Sequence, residues 1–227
     1  MIIIITIIIS LSILAFFIYA SASIGSGVYL NAILRGDRTA NKLYLSFDDG
    51  PNSEYTPIIL DILKENNIKA IFFCIGKNAQ NNIKIVERIV KEGHLIGNHS
   101  FCHSPTFPVM SKKKLLEDIS SCNTILEKLQ GSKVLFFRPP FGVTNPNIAY
   151  AVKQLKLITI GWSIRSFDTC GNNIPKILKR IEKKMKAGGI ILLHDNLPWS
   201  SQLLLGLIDL AKNNNYSFDS IKNIVKV

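Results

Sequence analysis

The sequence predicts an α/β fold: an incomplete or distorted (β/α) barrel of about seven parallel strands, preceded by an N-terminal hydrophobic helix. From residue 42 onward, short apolar runs alternate with longer amphipathic runs, and short links join them. This alternation is typical of a parallel sheet, and about seven such units form a barrel or near-barrel. The first 34 residues contain no Asp, Glu, Lys or Arg and begin with a long apolar run, which predicts the separate helix.

The N-terminal segment is long enough to cross a bilayer. Residues 1–20 supply about the 20 apolar residues that a membrane-spanning helix needs. A cleaved signal peptide is the alternative, because residues 20–22 read Ala-Ser-Ala and match a small-x-small cleavage site. An uncleaved anchor is favoured, since no Lys or Arg precedes the apolar stretch and the stretch exceeds the usual signal core. We therefore divide the chain into a transmembrane anchor or signal segment (1–22), a linker (23–41) and one folded domain (42–227).

The folded domain alternates strands with helices along its length. Strands are expected at residues 43–47, 70–74, 95–97, 134–137, 157–161, 190–193 and 216–218. Helices are expected at residues 56–66, 83–91, 112–129, 147–155, 174–186 and 202–213. In the second helix Ile83, Val86 and Val90 fall on one face, as an amphipathic helix requires. Ser111 is a suitable N-cap for the third helix.

Composition and charge narrow the classes of partner. Apolar residues make up 47% of the 227 residues, which excludes intrinsic disorder. Lys and Arg number 27 against 16 Asp and Glu, so the net charge is +11. A basic domain can bind anionic polymers or lipids, and the alternative is an ordinary solvated basic surface without such a partner. Because the chain has no run of five or more basic residues and no nucleic-acid motif, we expect no nucleic-acid partner. The four cysteines are widely spaced without a C-x-x-C pair, and buried thiols are expected.

Titratable side chains cluster directly after the predicted strands. Active sites of parallel barrels lie on the loops that follow the strands, so these side chains are the candidates for chemistry. They are Asp48 and Asp49 after the first strand, His99 and His103 after the third, Arg138 after the fourth, Asp168 in the segment after the fifth, and His194 after the sixth. His94, by contrast, begins a strand and is read as structural.

A metal site is predicted by Asp49, His99 and His103. The two histidines are four residues apart, which places both rings on one side of a helical turn or a tight loop. Two His and one carboxylate form a common catalytic zinc set that leaves a position open for water, whose pKa zinc lowers to about 7. The alternative is an incidental histidine pair.

The remaining strand-end groups suggest an acid and a base. The prolines after Arg138 force it into an extended backbone, from which it can pair with Asp48 and keep that carboxylate ionised as a base. His194 lies opposite and suits an acid or base role, with a buried core histidine as the alternative. Asp168 can hydrogen-bond His194 and tune its pKa, although a turn aspartate fits its position nearly as well.

Four segments in order resemble the polysaccharide deacetylases of the NodB-homology type, carbohydrate esterase family four. They are residues 46–51 (Ser-Phe-Asp-Asp-Gly-Pro), 99–103 (His-Ser-Phe-Cys-His), 138–142 (Arg-Pro-Pro-Phe-Gly) and 192–194 (Leu-Leu-His). The resemblance runs from about residue 42 to residue 226. It implies a metal-dependent deacetylase on an incomplete (β/α) barrel.

The resemblance also implies roles for individual residues. It makes Asp49, His99 and His103 the metal ligands, Asp48 the general base, Arg138 the residue that orients Asp48, and His194 the general acid. The substrate-binding residues are Pro140, Phe141, Trp162 and Leu192, where the Phe141 N–H contributes to an oxyanion hole and Leu192 to the pocket for the acetyl methyl group.

Two positions depart from the family pattern. Arg165 stands where many members have an Asp, so Asp168 is expected to support His194. Phe141 replaces a Tyr that is common in the family, which keeps the backbone donor but removes a hydroxyl contact to substrate.

The expected activity is removal of N-acetyl groups from N-acetylglucosamine-containing polysaccharide, either peptidoglycan or a chitin-like or surface glycan. Alternatives on the same fold are a deacylase of a lipid-linked sugar, an O-acetyl esterase and an inactive glycan-binding protein. The expected cofactor is a divalent metal, Zn²⁺ by default, with Co²⁺ or Ni²⁺ also suited to the ligands. No obligate protein partner is expected.

The expected location is the membrane, with the catalytic domain exported to the periplasm or the extracellular side. Secretion after cleavage near Ala22 is the alternative. Arg35, Arg38 and Lys42 follow the apolar segment, and the positive-inside rule argues against export. Exposed Trp162 and Trp199 suit a glycan substrate.

Overall fold

The structure is a computed structural model that describes residues 1–225. The last two residues of the predicted domain, 226 and 227, lie outside the described part of the chain. The helices are α1 (Ile2–Ala22), α2 (Tyr55–Glu65), α3 (Gly76–Asn81), α4 (Ile83–Lys91), α5 (Lys112–Gln130), α6 (Pro146–Gln154), α7 (Ile174–Glu182) and α8 (Ser200–Asn213). The strands are β1 (Ala32–Ile33), β2 (Lys42–Asp48), β3 (Ala70–Cys74), β4 (Leu95–Asn98), β5 (Phe136–Phe137), β6 (Ile158–Ile160), β7 (Ile164–Arg165), β8 (Gly189–His194) and β9 (Ser217–Phe218).

Within residues 1–225 the strands form one sheet in the order β1-β6-β5-β4-β3-β2-β8-β7, and β9 pairs with the first residues of β2. Every named strand pair is parallel. The predicted parallel barrel-like fold is therefore confirmed as a half-barrel with helices. In the central pair, Asp48 of β2 lies in register with His194 of β8. The carboxyl ends of all these strands consequently meet at one edge.

The sheet separates two cores, and strand alternation decides which residues enter each. Leu43, Leu45 and Phe47 of β2 pack in the large core between the strands and the helices. Tyr44 packs in a smaller core inside the half-barrel. Successive side chains point to opposite faces, so Asp48 shares the inner face with Tyr44. The inner face thus ends in a carboxylate at the carboxyl edge.

Short elements account for the differences from the sequence prediction. All seven predicted strands and six predicted helices are present, although the helix predicted at 174–186 ends at Glu182. The structure adds β1 within the predicted linker and β7 within a predicted loop. Both added strands have only two residues, too few to show the apolar–polar alternation by which a strand is recognised in a sequence. The added helix α3 has only six residues, too few to show a helical period.

The cysteines are free thiols, but only half of them are buried. Cys74 and Cys122 are buried, as expected, whereas Cys102 and Cys170 are exposed. The expectation of burial is wrong for the latter pair because both lie in loops, outside the strands and long helices.

The C-terminal end of α1 is fixed to the folded domain, and the rest of the helix is not. Residues 1–19 are exposed, whereas Ala20 is fully buried. The Ala20 carbonyl accepts hydrogen bonds from Ser26 Oγ (3.0 Å) and Thr144 Oγ1 (2.9 Å). The Thr144 N–H donates to the Ser21 carbonyl (2.9 Å). In length and composition α1 is suited to cross a membrane, a test that signal sequences also pass.

Candidate active site

The carboxyl edge of the sheet holds a cavity of about 250 Å³. This volume is at the small end of ligand pockets, so it suits one substituent or one sugar rather than a long segment of polymer. The cavity is lined by Asp48, Asp49, His99, His103, Phe141, Gly142, Trp162, Arg165, Thr169, Leu192 and His194. Five of the predicted titratable residues therefore line one cavity, whereas Arg138 and Asp168 do not line it and instead contact Asp48 and His194.

Asp48 is paired with a fully buried arginine. Arg138 Nη1 lies 2.6 Å from Asp48 Oδ1 and 2.9 Å from Ser46 Oγ. The other guanidinium nitrogens donate to the carbonyls of Ile160 (2.9 Å) and Gly161 (2.8 Å). Because all three nitrogens are engaged, the guanidinium is fixed and its charge lies directly against the Asp48 carboxylate. The pairing expected from the sequence is thus present in the structure.

Asp49 turns toward the two histidines that were predicted to share a metal with it. Its backbone has φ +73°, and its Oδ1 lies 3.4 Å from Nε2 of both His99 and His103. That oxygen is buried and has no hydrogen-bond partner among the described residues. Burial alone would raise the pKa of Asp49, but the adjacent imidazole of His99 and the charges of His194 and His103 lower it to about 2.

The tautomer of His99 is set by the backbone. Its Nδ1 lies 2.8 Å from the Arg138 carbonyl, and because a carbonyl only accepts, Nδ1 carries the proton. The lone pair of Nε2 therefore points at Asp49. Burial opposes the charged form of His99, but Asp48 and Asp49 together raise its pKa.

His103 lies in a tight loop, one of the two placements predicted from its spacing. Its backbone has φ +50°, and its N–H donates to Ser100 Oγ (2.9 Å). Burial and the charge of His99 lower the pKa of His103, which favours a neutral ring. A neutral imidazole is the form that binds metals.

The donor set of Asp49, His99 and His103 fits a divalent metal. Their ligand atoms all lie within 4.8 Å of one another, and the partnerless Asp49 oxygen faces both rings. Two imidazole nitrogens and one carboxylate oxygen suit zinc, cobalt or nickel, and three protein ligands leave a position open.

His194 is held by Asp168 on the other side of the cavity. Asp168 Oδ1 lies 2.8 Å from His194 Nδ1, and Asp168 Oδ2 accepts the His194 N–H at 2.8 Å. Burial would lower the pKa of His194, but the hydrogen bond and charge of Asp168 raise it to about 9. His194 is therefore protonated near neutral pH, with Nε2 on the Asp49 side, 4.0 Å from Asp49 Oδ2.

The predicted substrate-binding residues divide into two groups. Phe141, Trp162 and Leu192 line the cavity, whereas Pro140 is buried and does not. Phe141 has φ +61° and is 47% exposed, and its N–H has no hydrogen-bond partner within the described chain. Gly142 follows at φ +69°, where an added Cβ would collide with the Trp162 ring.

Neither tryptophan is fully exposed, contrary to the sequence expectation. Trp162 and Trp199 are both half-buried. The Trp162 ring lies near the guanidinium of Arg138, and the Trp199 Nε1–H donates to the Asp168 carbonyl (3.1 Å). Trp199 thus supports the segment that carries Asp168 and does not line the cavity.

The amino-acid sequence matches the profile described as polysaccharide deacetylase over residues 35–160, more than half of the chain. The chain belongs to the polysaccharide deacetylase family. A relative from Bacillus cereus named peptidoglycan-N-acetylglucosamine deacetylase is 38% identical over 151 residues. That match covers 66% of this chain and 54% of the relative, so the chain spans about half of that relative's length.

Solved structures of this deacetylase family include active and inactive members. A peptidoglycan N-acetylglucosamine deacetylase bound to an N-oxidanyl-benzamide compound superposes with a TM-score of 0.79, at 31% identity over 86% of this chain and 92% of the other. A Bacillus anthracis protein described as a family pseudoenzyme superposes with a TM-score of 0.78, at 26% identity over 86% and 68% of the chains. Because the fold is shared by both kinds, the side chains of the site must carry the argument for activity.

Three further residues of this family member line the cavity but were not predicted as parts of the site. Arg165, noted from the sequence only as a departure, lines the cavity with its guanidinium over the rings of Trp162 and Phe167. Gly142 and Thr169 also line the cavity. Short two-residue strands and turns place these residues, and local sequence patterns do not reveal such placements.

Asp195 is a buried carboxyl group next to the turn that carries Asp49, and the sequence analysis assigned it no role. It is fully buried, and its Oδ2 accepts a hydrogen bond from Thr56 Oγ1 (2.6 Å). The same hydroxyl accepts the N–H of Asn52, next to the Asp49 turn (2.7 Å). Burial raises the pKa of Asp195 to about 7. An aspartate directly after a strand is expected to be an exposed loop residue, so the burial of Asp195 could not be predicted from the sequence.

Proposed function

We propose that the chain is a metal-dependent hydrolase that removes N-acetyl groups from N-acetylglucosamine-containing polysaccharide. The observation that carries the proposal is the arrangement around one cavity, with Asp49, His99 and His103 at its base, Asp48 on one side and His194 on the other. The names of the family relatives agree with the reaction class. Every residue proposed as a metal ligand, base or acid lines this one cavity.

Asp49, His99 and His103 would hold the divalent cation. The cation would supply Lewis-acid chemistry, lowering the pKa of a water molecule and polarising the acetyl carbonyl. Zinc is the proposed ion, and cobalt or nickel suits the same donors.

Asp48 acts as the general base in this proposal. Its Oδ1 is occupied by Arg138, which leaves Oδ2, 3.9 Å from His99 Nε2, to accept the proton of the attacking water. Arg138 holds the carboxylate in one orientation, so it is a positioning residue. A base near the operating pH contributes about 10²–10⁴-fold in rate.

His194 acts as the general acid. Its Nδ1 is engaged by Asp168, so the proton on Nε2 is the one available to the departing sugar nitrogen. The raised pKa of His194 keeps that proton in place at neutral pH. The partnerless N–H of Phe141 is placed to donate to the carbonyl oxygen as negative charge develops there.

The substrate-binding roles rest on the cavity wall. Leu192 is 4% exposed and lines the cavity, which suits the acetyl methyl group. Phe141 and Trp162 present aromatic surface at the mouth, which suits the apolar face of a sugar ring. Pro140 supports this wall from beneath Phe141.

Acetate release by the full-length chain tests the proposal. Substrates are N-acetylglucosamine oligomers and isolated peptidoglycan, assayed after EDTA treatment and again with zinc or cobalt restored. We expect release only with metal, loss in Asp48→Asn, and retention in Asp209→Asn, a matched change of an exposed aspartate on α8. No release by metal-loaded protein from these substrates or from a lipid-carried N-acetylated saccharide contradicts the proposal. Release only from an O-acetylated glycan, assayed in parallel, assigns an esterase instead.

We also propose that α1 anchors the protein in a membrane and that the deacetylase domain is exported. The helix is suited to span a bilayer, and the proposed substrate lies outside the cytoplasm. Protease protection of a C-terminal tag in spheroplasts tests the orientation, since an exported domain is digested without lysis.

A further inference from the structure

The end of the apolar helix is hydrogen-bonded to Thr144, a residue close in sequence to the cavity-lining Phe141 and Gly142. The Thr144 hydroxyl donates to the Ala20 carbonyl and its N–H donates to the Ser21 carbonyl, and Thr144 is only 1% exposed. Thr144 follows Phe141 by three residues, so their Cα atoms are at most about 11 Å apart. The point where α1 leaves the domain is therefore beside the cavity mouth.

The length of α1 fixes where a bilayer would begin. Its 21 residues measure about 31 Å at a rise of 1.5 Å per residue, close to the roughly 30 Å hydrocarbon thickness. Almost the whole helix lies within the hydrocarbon of a bilayer that it spans, so the hydrocarbon boundary falls near Ala20–Ala22. Since Ala20 contacts Thr144, the turn that follows Phe141 lies close to that boundary.

Cleavage after Ala22 would be unfavourable for this domain. It would remove the acceptors of both the Thr144 N–H and the Thr144 hydroxyl, which are buried. Buried donors without partners are destabilising. The contact therefore favours a retained helix.

The surface beside this contact combines an exposed apolar side chain with three cations. The Asn145 amide donates to the Pro108 carbonyl (2.6 Å), which joins the Thr144 turn to the segment that follows. In that segment Val109 is 82% exposed. The first turn of α5 then presents the exposed side chains of Lys112, Lys113 and Lys114.

These lysines are unfavourably placed for the helix that carries them. The N-terminus of a helix is the positive end of its dipole, so cations there are repelled. In the described part of the chain, only Lys113 has an acidic partner among the three, Glu117 at 4.0 Å. An anionic surface would satisfy the cations, and anionic lipid headgroups attract lysines close to a membrane.

We propose that the catalytic edge docks on an anionic bilayer surface and that the substrate is an N-acetylated saccharide carried on a membrane lipid. The retained α1 sets the distance, Val109 enters the interface, and Lys112, Lys113 and Lys114 contact lipid phosphates. The cavity then opens at the level of the headgroups. The substrate part of this inference rests on the proposed deacetylase function.

Hydrogen–deuterium exchange of the full chain in nanodiscs tests the docking. We expect slower exchange in residues 107–114 and 141–145 with phosphatidylglycerol in the disc than with phosphatidylcholine alone. Charge reversal by changing Lys112, Lys113 and Lys114 to Glu should abolish this difference between the two lipids. The same change at Lys183, Lys184 and Lys186, which are exposed just before β8 at the amino edge of the sheet, should leave the difference unchanged. Equal exchange in both lipids overturns the docking.

A spacer between the span and the domain tests the substrate class. About 20 Gly and Ser residues inserted between Tyr19 and Ala20 leave the Ala20–Thr144 contact intact but free the domain from the surface. The remaining apolar helix, Ile2–Tyr19, is still long enough to cross the hydrocarbon. We expect the acetate-release rate on a lipid-carried saccharide in the disc, divided by the rate on soluble oligomers, to fall at least about tenfold. An unchanged ratio, or turnover of soluble oligomers alone by the parent chain, overturns the inference and leaves the proposed function standing. No turnover of either substrate refutes the proposed function, while the exchange result still decides the docking.

Discussion

Asp168 binds His194 at two points, through Oδ1 to the ring Nδ1 and through Oδ2 to the backbone N–H, each at 2.8 Å. Ser166 Oγ donates to the same carboxylate at 2.8 Å. The backbone contact fixes the position of the residue and the ring contact fixes its proton. One carboxylate thus sets both the place and the protonation of the proposed acid.

Asp168→Asn is expected to move the alkaline limit of kcat to lower pH. The charge of Asp168 raises the pKa of His194 to about 9, so the stabilisation from the pair is complete below 6.5 and is lost as pH rises through 9. A bound cation opposes the charge on Asp49, so the wild-type limit should fall at or below about 9. Without the Asp168 charge, His194 loses its proton earlier. A pH profile of kcat checks this, with Asp209→Asn as the control, and an unmoved limit would show that His194 is not the acid.

Asp48→Asn is expected to lower kcat by about 10²–10⁴-fold while metal stays bound. The amide oxygen can still accept from Arg138, but it cannot take a proton from water. The buried Arg138 loses its counter-charge, so stability should fall by about 3–5 kcal/mol. Metal analysis, thermal unfolding and acetate release below the transition temperature separate these effects. Activity close to wild type would remove Asp48 from the mechanism.

His99→Ala is expected to lose metal and activity together. One of the three proposed ligands disappears, and the ring that links Asp49 to the Arg138 carbonyl goes with it. His94→Ala is the matched control, since His94 Nδ1 accepts the Ala70 N–H at the amino end of the sheet. That variant should be less stable but retain its metal. Stoichiometric metal in His99→Ala would mean that the ligand set is wrong.

Asp195→Asn is expected to flatten the pH dependence of stability in the metal-free protein. Burial raises the pKa of Asp195 to about 7, so the folded chain holds a proton that the unfolded chain releases above its ordinary pKa of 3.8. The wild-type free energy of unfolding therefore falls as pH rises from about 4 to 7, and remains lower above that. Asn is neutral throughout and still accepts from Thr56. Urea unfolding at pH 5 and pH 8 in EDTA measures the difference, and parallel changes in both proteins would contradict it.

The parts of this site that lie close together in the sequence could be predicted from it, and the parts formed by tertiary packing could not. Asp48 and Asp49 stand at the end of a strand with clear alternation, and His99 and His103 are only four residues apart. Sequence spacing is therefore enough to predict them as site residues. Asp168 and His194 are 26 residues apart, and only the pairing of β7 with β8 settles that they touch. The two-residue strands β1 and β7 have no periodicity to detect.

Buried polar groups mark the limit of sequence reasoning for the same reason. Asp195 stands where a loop residue is expected, and its burial follows from the close approach of Gly50, whose missing side chain leaves room for the carboxyl group. Pro140 belongs to a matching motif but lies under the cavity wall. The motif therefore predicts that a residue lies near the site, but it does not predict whether the side chain points into the cavity.

The register that places Asp48 beside His194 has a consequence for how this protein can change. Their strands are adjacent and parallel. Interstrand hydrogen bonds, and not a loop, therefore hold the two backbones about 4.8 Å apart. The loops that carry Phe141, Trp162 and Arg165 can vary in length and composition without moving the proposed acid relative to the proposed base. If the proposed roles hold, the cavity rim can change to accept a different sugar while the proposed reaction stays the same.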